Sequence, residues 1–373
     1  MKRKVSIFAL ILLFVCMLPI ALNIPLVQAD PGGIGKFLTV EIVGEGYVTA
    51  FKVKSGETWD FPPSTTEKVG AGTVLLTAIA SEGWDFSQWG GDLTGSENPT
   101  NYQTQKYGYV AAVFIQETFT ITVTAVGDGD VFLDGEIVSG DVFVEYGATP
   151  EFTFDPYDGN YISSVAVNGS CLSSFVSSYT FPPVTTDQTL DVFFSLEGTA
   201  TVPPGPNVYV HLDPSENIMF SDAGGGGTAT VDDLEEIADY PVGTLAAAWI
   251  IDVDFTFSGE VLITLQYDPG DLTEDEQKNL RLIRGETLEA LRSDVNRDLV
   301  VDSTDTSIVA EGKNQPYDPR LDLNNDGEIT NADIFIVNEN KGTILVDITV
   351  GEVNTVHHII QGITDHFSIF GVH

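Results

Sequence analysis

The sequence alternates hydrophobic and polar residues over most of its length. From residue 36 to about residue 188 the alternation has the two-residue period of half-buried strands, interrupted by clusters of Gly, Pro and Asp. The stretches FLTVEIVGEGYVTAF and FTITVTAVGDGDVFL begin two units about 80 residues apart that share this pattern. We interpret residues 36–116 and residues 118–196 as divergent copies of one small all-β module.

A third β pattern follows a Pro/Gly-rich stretch, residues 197–206, which is predicted to be a linker. Strand alternation then continues over residues 207–285, stops, and resumes over residues 343–373. The last of these stretches is too short to bury a core alone. We therefore expect it to complete one β-sandwich-like module with residues 207–285.

The segment between these two parts, residues 286–342, is then an insertion at the tip of a hairpin, a place where inserted domains are tolerated. This hypothesis predicts that Arg284 and Val346 lie on adjacent antiparallel strands. The simpler alternative places the segment between two independent modules. Upstream of it, Thr273 and Glu276 form a capping-box pattern that predicts one short helical turn.

The inserted segment contains two twelve-residue stretches, DVNRDLVVDSTD and DLNNDGEITNAD, with the same order of oxygen-bearing residues. Carboxylate, amide or hydroxyl oxygens occur at positions 1, 3, 5, 9 and 12, and position 7 supplies its backbone carbonyl in calcium loops of this kind. The predicted ligands are Asp294, Asn296, Asp298, Val300, Asp302 and Asp305 in the first loop, and Asp322, Asn324, Asp326, Glu328, Thr330 and Asp333 in the second. We expect two Ca²⁺ ions; the alternative is a pair of polar turns without metal.

The two loops differ at position 6, where the chain must turn sharply. Gly327 permits that turn, whereas Leu299 must adopt a strained backbone or open the turn, so the first site is predicted to be weaker. Position 8 is aliphatic in both loops, and Val301 and Ile329 are expected to pair across two facing loops. A short apolar-periodic stretch follows each loop and predicts a helix ended by glycine.

These residues make the segment from about Ser293 to Gly342 resemble a type I dockerin, the calcium-folded module that binds cohesin domains in extracellular assemblies. The YDPRLDLNNDG bridge is similar to linkers of archaeal-type members. The resemblance implies partner recognition through positions 10 and 11, with apolar surface beside them. The candidate partner-binding residues are Ser303, Thr304 and Ile308 on the first helix, and Asn331 and Ala332 on the second, where the pair departs from the family pattern. Val309 is expected to add apolar surface beside Ile308.

The two small β units resemble the divergent internalin B-type repeat of prokaryotic surface proteins. The first does so through Gly83, Phe86, Trp89, Gly91, Asp92, Gly95, Asn98 and Pro99, and the second mainly through strand order. We expect Trp89 to fill the core, while Trp84 could also belong to a sugar-stacking platform. The predicted fold class is mainly all-β: tandem small β modules and a β-sandwich-like domain with a small α-helical EF-hand-type insertion.

Residues 1–29 have the basic start, apolar stretch and small-residue cleavage site of a signal peptide; a single-pass anchor is the alternative. Removing its three basic residues takes the net charge from −39 to −42, which excludes nucleic acid as a partner. No later stretch is apolar enough to span a bilayer. Cys171 is then the one mature cysteine, so no internal disulfide can form, and the sequence at Asn168 is a glycosylation acceptor. We expect a secreted or cell-surface protein.

The sequence contains no Gly-x-Ser-x-Gly or His-Glu-x-x-His motif, and the glycine run at residues 224–227 lacks a P-loop lysine. His357 and His358, as neighbours on a predicted strand, would point to opposite faces, and His211, His366 and His373 have no predicted partners. Acidic pairs for glycoside hydrolysis are not excluded by sequence. We expect a protein that is not an enzyme.

Two functional hypotheses remain. In the first, a non-catalytic, scaffold-associated surface protein docks to a cohesin-type partner through its calcium-folded helices. In the second, an adhesin or surface-coat protein uses the calcium loops as a structural staple, and its β modules bind polysaccharide or neighbouring chains. Ser303 and Thr304 favour the first hypothesis, and Leu299 and the inserted position favour the second.

Overall fold

The computed structural model describes residues 35–63, 65–212, 216–233, 247–270, 272–324 and 326–372. The predicted signal peptide and His373 lie outside the described residues. The protein is mainly β, with several small sheets and a few short helices, which confirms the predicted class at that level. The described residues up to Ile115 form one compact unit, and the described residues from Gln116 form a second.

The first unit contains two four-stranded sheets with the orders β4-β1-β8-β6 and β3-β2-β5-β7. Trp89 is 3% exposed in the core between them, and its indole N–H donates to the carbonyl of Glu97 over 2.9 Å. The prediction that Trp89 fills the core is confirmed, and half-buried Trp84 packs against the same core. The strands are β1 (Phe37–Val43), β2 (Gly46–Lys52), β3 (Glu57–Phe61), β4 (Thr65–Lys68), β5 (Thr73–Ala80), β6 (Trp84–Gly91), β7 (Thr100–Gln103) and β8 (Tyr107–Gln116).

The second small module repeats this arrangement with one added edge strand, β15. Its sheets have the orders β12-β9-β17-β14-β15 and β11-β10-β13-β16, and its first and last long strands, β9 and β17, pair in parallel as β1 and β8 do. The two units that the sequence predicts to be divergent copies thus share one strand order. Its strands are β9 (Thr118–Val126), β10 (Gly129–Leu133), β11 (Glu136–Ile137), β12 (Gly140–Glu145), β13 (Glu151–Pro156), β14 (Asn160–Val167), β15 (Ser170–Cys171), β16 (Ser178–Thr180) and β17 (Gln188–Leu196).

The third module packs a six-stranded sheet, β18-β21-β22-β27-β24-β25, against a four-stranded sheet, β19-β20-β23-β26. Fully buried aromatic residues, Phe220, Trp249 and Phe370, lie in the core between them. The strands are β18 (Thr199–Val202), β19 (Pro206–His211), β20 (Asn217–Asp222), β21 (Gly227–Asp233), β22 (Ala247–Val253), β23 (Ser258–Gln266), β24 (Leu282–Gly285), β25 (Val346–Asp347), β26 (Ile359–Thr364) and β27 (Ile369–Val372).

The predicted linker, residues 197–206, is in part a strand of this module. β18 pairs with β21, and its alternating side chains Ala200 and Val202 are buried in the sandwich core. The prolines that suggested a linker affect only the residues after Val202. Tyr161 of the preceding repeat donates a hydrogen bond to the carbonyl of His211 over 2.8 Å, so the two modules are also joined by direct contacts.

The strands on either side of the inserted segment pair as predicted. β24 is antiparallel to β25, with Arg284 opposite Val346, and β26 and β27 add to the sheets formed by β23 and β22. The predicted strand pairing is therefore confirmed. The chain between Gly285 and Val346 leaves and returns to the same edge of the six-stranded sheet.

Four short helices complete the described structure: α1 (Glu274–Gln277), α2 (Leu288–Ser293), α3 (Ser303–Gly312) and α4 (Asn331–Glu339), with a 3₁₀ turn at Pro319–Leu321. Thr273 and Glu276 cap α1 reciprocally, as predicted. Helix α2, which no sequence pattern predicts, packs Leu288 and Leu291 against Ile283 on the outer face of the six-stranded sheet. Helices α3 and α4 bury Val309 and Val337 in a small core of their own.

Candidate metal centre

A helix begins within the last four residues of each predicted loop, and the residue at position 9 is its N-cap. The position 9 side chains, Asp302 and Thr330, accept hydrogen bonds from the N–H groups of Thr304 and Ala332 over 2.6 and 3.0 Å. The position 12 aspartates complete a capping box at the third helical residue of α3 and of α4. The same residue order therefore fixes both the loop end and the helix start.

The first residue of each loop closes the turn in the same way. Asp294 accepts from the N–H groups of Asp298 and Leu299 over 3.1 and 2.8 Å. Asp322 accepts from those of Asp326 and Gly327 over 3.2 and 2.8 Å. These pairs of hydrogen bonds hold each position 1 carboxylate on the inner side of its loop.

The last residue of each loop folds back onto its start. Asp305 accepts from the N–H groups of Asn296 and Asp302 over 3.2 and 2.8 Å. In the second loop Asp333 accepts from those of Asn324 and Thr330 over 3.2 and 2.7 Å. The two loops thus share these hydrogen bonds, and the second loop adds the N–H of Leu323, which also donates to Asp333 over 2.7 Å.

Leu299 adopts the left-handed backbone that its position requires, with φ of 71°, compared with 88° at Gly327. The strained conformation expected of a leucine at position 6 is confirmed. Its half-buried side chain packs against the cluster that contains Ala248, Ile283 and Leu345. Leucine at this position therefore attaches the first loop to the outer face of the six-stranded sheet.

The backbone of the first loop pairs with the chain that returns from the insertion. Val301 donates to the carbonyl of Thr343 over 3.0 Å and accepts from the N–H of Gly342 over 2.8 Å. Leu345 donates in turn to the carbonyl of Leu299 over 2.9 Å. The predicted pairing of Val301 with Ile329 is wrong, because the returning chain occupies the edge of the first loop. Val301 is instead buried in the small core between the helices, and half-buried Ile329 packs against that core.

The position 1 and position 12 aspartates are almost completely buried, at no more than 1% exposure: Asp294, Asp305, Asp322 and Asp333. Burial raises the pKa of Asp294, and the N–H groups of Leu299 and Asp298 oppose that rise. Among the described residues, Asp305, Asp322 and Asp333 form no ion pair with Lys, Arg or His. Buried carboxylates without a cationic partner are costly, and a divalent cation relieves that cost. The residues present therefore fit a calcium ion in each loop.

In the part of the chain that the structure describes, no three His, Cys, Asp or Glu side chains converge closely enough to form a metal-binding group by themselves. Amide and backbone carbonyl oxygens supply part of the ligand set in loops of this kind. Here the Asn296 and Asn324 amides donate to Asp298 and Asp326 over 2.9 Å each. The position 3 amides and the position 5 carboxylates, which would both be ligands of a cation, are therefore already in contact.

The predicted partner-binding residues differ in exposure. Ser303 and Thr304 are exposed at the start of α3, and Ile308 is half-buried. Val309 is fully buried, so the expectation that it contributes apolar surface is wrong. Its position four residues after the buried Asp305 turns it toward the core between the helices.

The start of α4 presents a second exposed face. Asn331 and Ala332 are exposed, and the amine of Lys313 donates to the amide oxygen of Asn331 over 2.5 Å. Phe335 is 62% exposed on the same helix and is not among the predicted partner-binding residues. Its spacing of three residues from Ala332 could have indicated that it lies on the same face.

Among the described residues, His357 and His358 do not join a metal-binding group. His357 and His358 lie in a turn that precedes β26, not on the predicted strand, because Asn354 accepts from the N–H groups of Val356 and His357. The His358 Nδ1 atom lies 3.1 Å from the Oε1 atom of Gln277. The prediction that both imidazoles extend from a regular strand is therefore wrong.

Comparisons with known proteins add little. No protein-family model matches the sequence, and no curated protein is significantly similar to it. Among solved structures, a DUF3823 family protein from Bacteroides ovatus ATCC 8483 aligns over 52% of this chain and 93% of its own, at 10% identity and a TM-score of 0.18. That likeness is too low to carry an argument. Within the described residues, no helix has the length and apolar character needed to cross a membrane.

Proposed function

We propose that this protein is a non-catalytic, exported protein that binds two calcium ions through the Asp294 and Asp322 loops and docks to a cohesin-type partner. The observation that carries the calcium part is the matched hydrogen-bond pattern of the two loops around buried aspartates. Such loops gain a cation's charge and lose the repulsion between their carboxylates when calcium binds.

The docking part rests on what the inserted segment leaves exposed. One side of the segment packs through α2 and Leu299 against the six-stranded sheet. Its exposed residues include Ser303 and Thr304 at the start of α3, and Asn331 and Ala332 at the start of α4. Because both starts are capped by loop residues, calcium would order these surfaces without contacting the partner.

A second candidate function is favoured by the attachment of the first loop to the sandwich. The Leu299 carbonyl accepts a hydrogen bond from the returning chain, and Val301 both donates to that chain and accepts from it. Together with the packing of Leu299 on the outer face of the sheet, these contacts suit a structural staple. In that case the β modules would carry the binding function, toward carbohydrate or neighbouring surface chains.

Calorimetric titration of the chelator-treated full chain with calcium tests the shared part of both candidates. Two binding events are expected, and no binding heat at any concentration would refute both. Capture of a cohesin-type domain from the same organism, with and without calcium, then separates them. Calcium-dependent capture supports docking, and binding of calcium without capture of any such domain supports the staple.

A further inference from the structure

Arg292 is a buried positive charge beside the second calcium loop. It lies in the last turn of α2 and is 5% exposed. One of its amino groups, Nη2, donates to the backbone carbonyl of Asp322 over 3.2 Å. The contact joins the residue two places before the first loop to the first residue of the second loop.

The polar groups of Arg292 have fewer partners than is usual for a buried arginine. Among the described residues its Nε atom has no hydrogen-bond partner, and it forms no ion pair within salt-bridge distance. Burial lowers the pKa of its guanidinium, while the charges of Asp322, Glu289 and Asp333 raise it. A buried arginine without a direct carboxylate partner is destabilising unless a nearby negative field compensates for it. Here Asp322 and Asp333 of the second loop, together with Glu289 of α2, supply that negative field.

We propose that Arg292 is a positioning residue that acts as a built-in counter-charge for the Asp322 loop and keeps that loop folded when calcium is absent. The inference rests on the proposed calcium function. Without metal, the guanidinium offsets part of the repulsion among Asp322, Asp326 and Asp333 and holds the Asp322 backbone in place. When calcium binds, its two positive charges take over most of that compensation, and Arg292 matters less.

The chain supplies a matched control. Arg320 precedes the second loop by the same two positions as Arg292 precedes the first, but it is exposed and paired with Asp318 over 2.6 Å. Its charge is screened by solvent and by its partner. Removing it should therefore leave the Asp322 loop unchanged with or without calcium.

The test is hydrogen exchange of the backbone across residues 323–333 in the full chain, measured in excess chelator and in excess calcium. The Arg292→Gln variant is expected to exchange roughly tenfold faster than wild type in chelator, because a hydrogen bond from a charged donor is lost, and to regain protection in calcium. Arg292→Met, which keeps apolar bulk without charge, should behave in the same way. Arg292→Lys and Arg320→Gln should resemble wild type.

Three results would overturn the inference. Equal loss of protection in chelator and in calcium would make Arg292 an ordinary structural residue. Normal protection of Arg292→Gln and Arg292→Met in chelator would show that the counter-charge is not needed. Protection retained in Arg292→Met but lost in Arg292→Lys would assign the role to packing. If wild type gives no calcium response, the proposed function fails, and the chelator measurements still decide what Arg292 does.

Discussion

Replacing Leu299 with glycine tests how the backbone sets calcium affinity in the first loop. Leu299 holds φ at 71° so that its N–H can donate to Asp294 over 2.8 Å. A non-glycine residue in this conformation costs about 1–2 kcal/mol. We expect the calcium-free loop to relax from that strain and the calcium-bound loop to keep it, so that the penalty weakens binding.

The side chain of Leu299 works in the opposite direction. Complete burial of a leucine contributes about 1.5–3 kcal/mol, so this half-buried one contributes roughly 1 kcal/mol to attachment on the sheet. The Leu299→Gly variant keeps the backbone hydrogen bond from Leu345, which leaves part of the attachment intact. We expect calcium affinity at the first loop to rise about tenfold, and the thermal stability of the calcium-free protein to fall slightly.

The assay is calorimetry in an Asp322→Ala background, so that the first loop alone is titrated. The reverse change, Gly327→Leu in an Asp294→Ala background, is the matched control. A Cβ on Gly327 would meet no atom within 4 Å, so strain at its φ of 88° is the main effect and affinity should fall. Unchanged or weaker calcium binding by Leu299→Gly would refute the reasoning and show that attachment to the sheet, not backbone strain, controls this loop.

Three further predictions concern other parts of the molecule. The Ser303→Arg and Thr304→Arg double variant should lose cohesin capture and keep both calcium sites; capture that survives would move the docking surface to the start of α4. Chelation of calcium should speed hydrogen exchange in β24, because its partner strand, opposite Arg284, lies on the chain that returns from the calcium loops. Unchanged exchange would show that the loops and the sheet are independent. Trp89→Ala should destabilise the first unit by about 3–5 kcal/mol in a urea melt, with a shift under 1 kcal/mol counting against its role in the core.

The sequence was sufficient for features that depend on local spacing. Alternation with a period of two predicted most strands, and the order of oxygen-bearing residues predicted two matching loops followed by helices. The opposition of Arg284 and Val346 was also predictable, because a short C-terminal stretch cannot bury a core alone. In each case the pattern, or its interruption, lay within the chain itself.

Features that depend on tertiary contacts were missed. Helix α2 is too short to show a clear period, and its stability comes from packing on the sheet. The backbone partners of Val301 lie on the chain that returns from the insertion, and no local sequence pattern shows where that chain runs. The contact of Arg292 with Asp322 joins residues 30 positions apart, and the sequence around each residue contains no pattern that predicts it.

The terminal strands of the two small modules have a mechanical consequence. In the first module Phe37–Val43 runs in parallel beside Tyr107–Val113, and in the second Gln188–Phe193 runs beside Ile121–Val126. Tension applied to the ends of such a module slides one strand along the other, so the hydrogen bonds of the ladder bear the load together. Unfolding under force depends on the rate of that step, and not on equilibrium stability alone. Each module can therefore resist stretching because its first and last long strands run parallel to each other, even though its core is small.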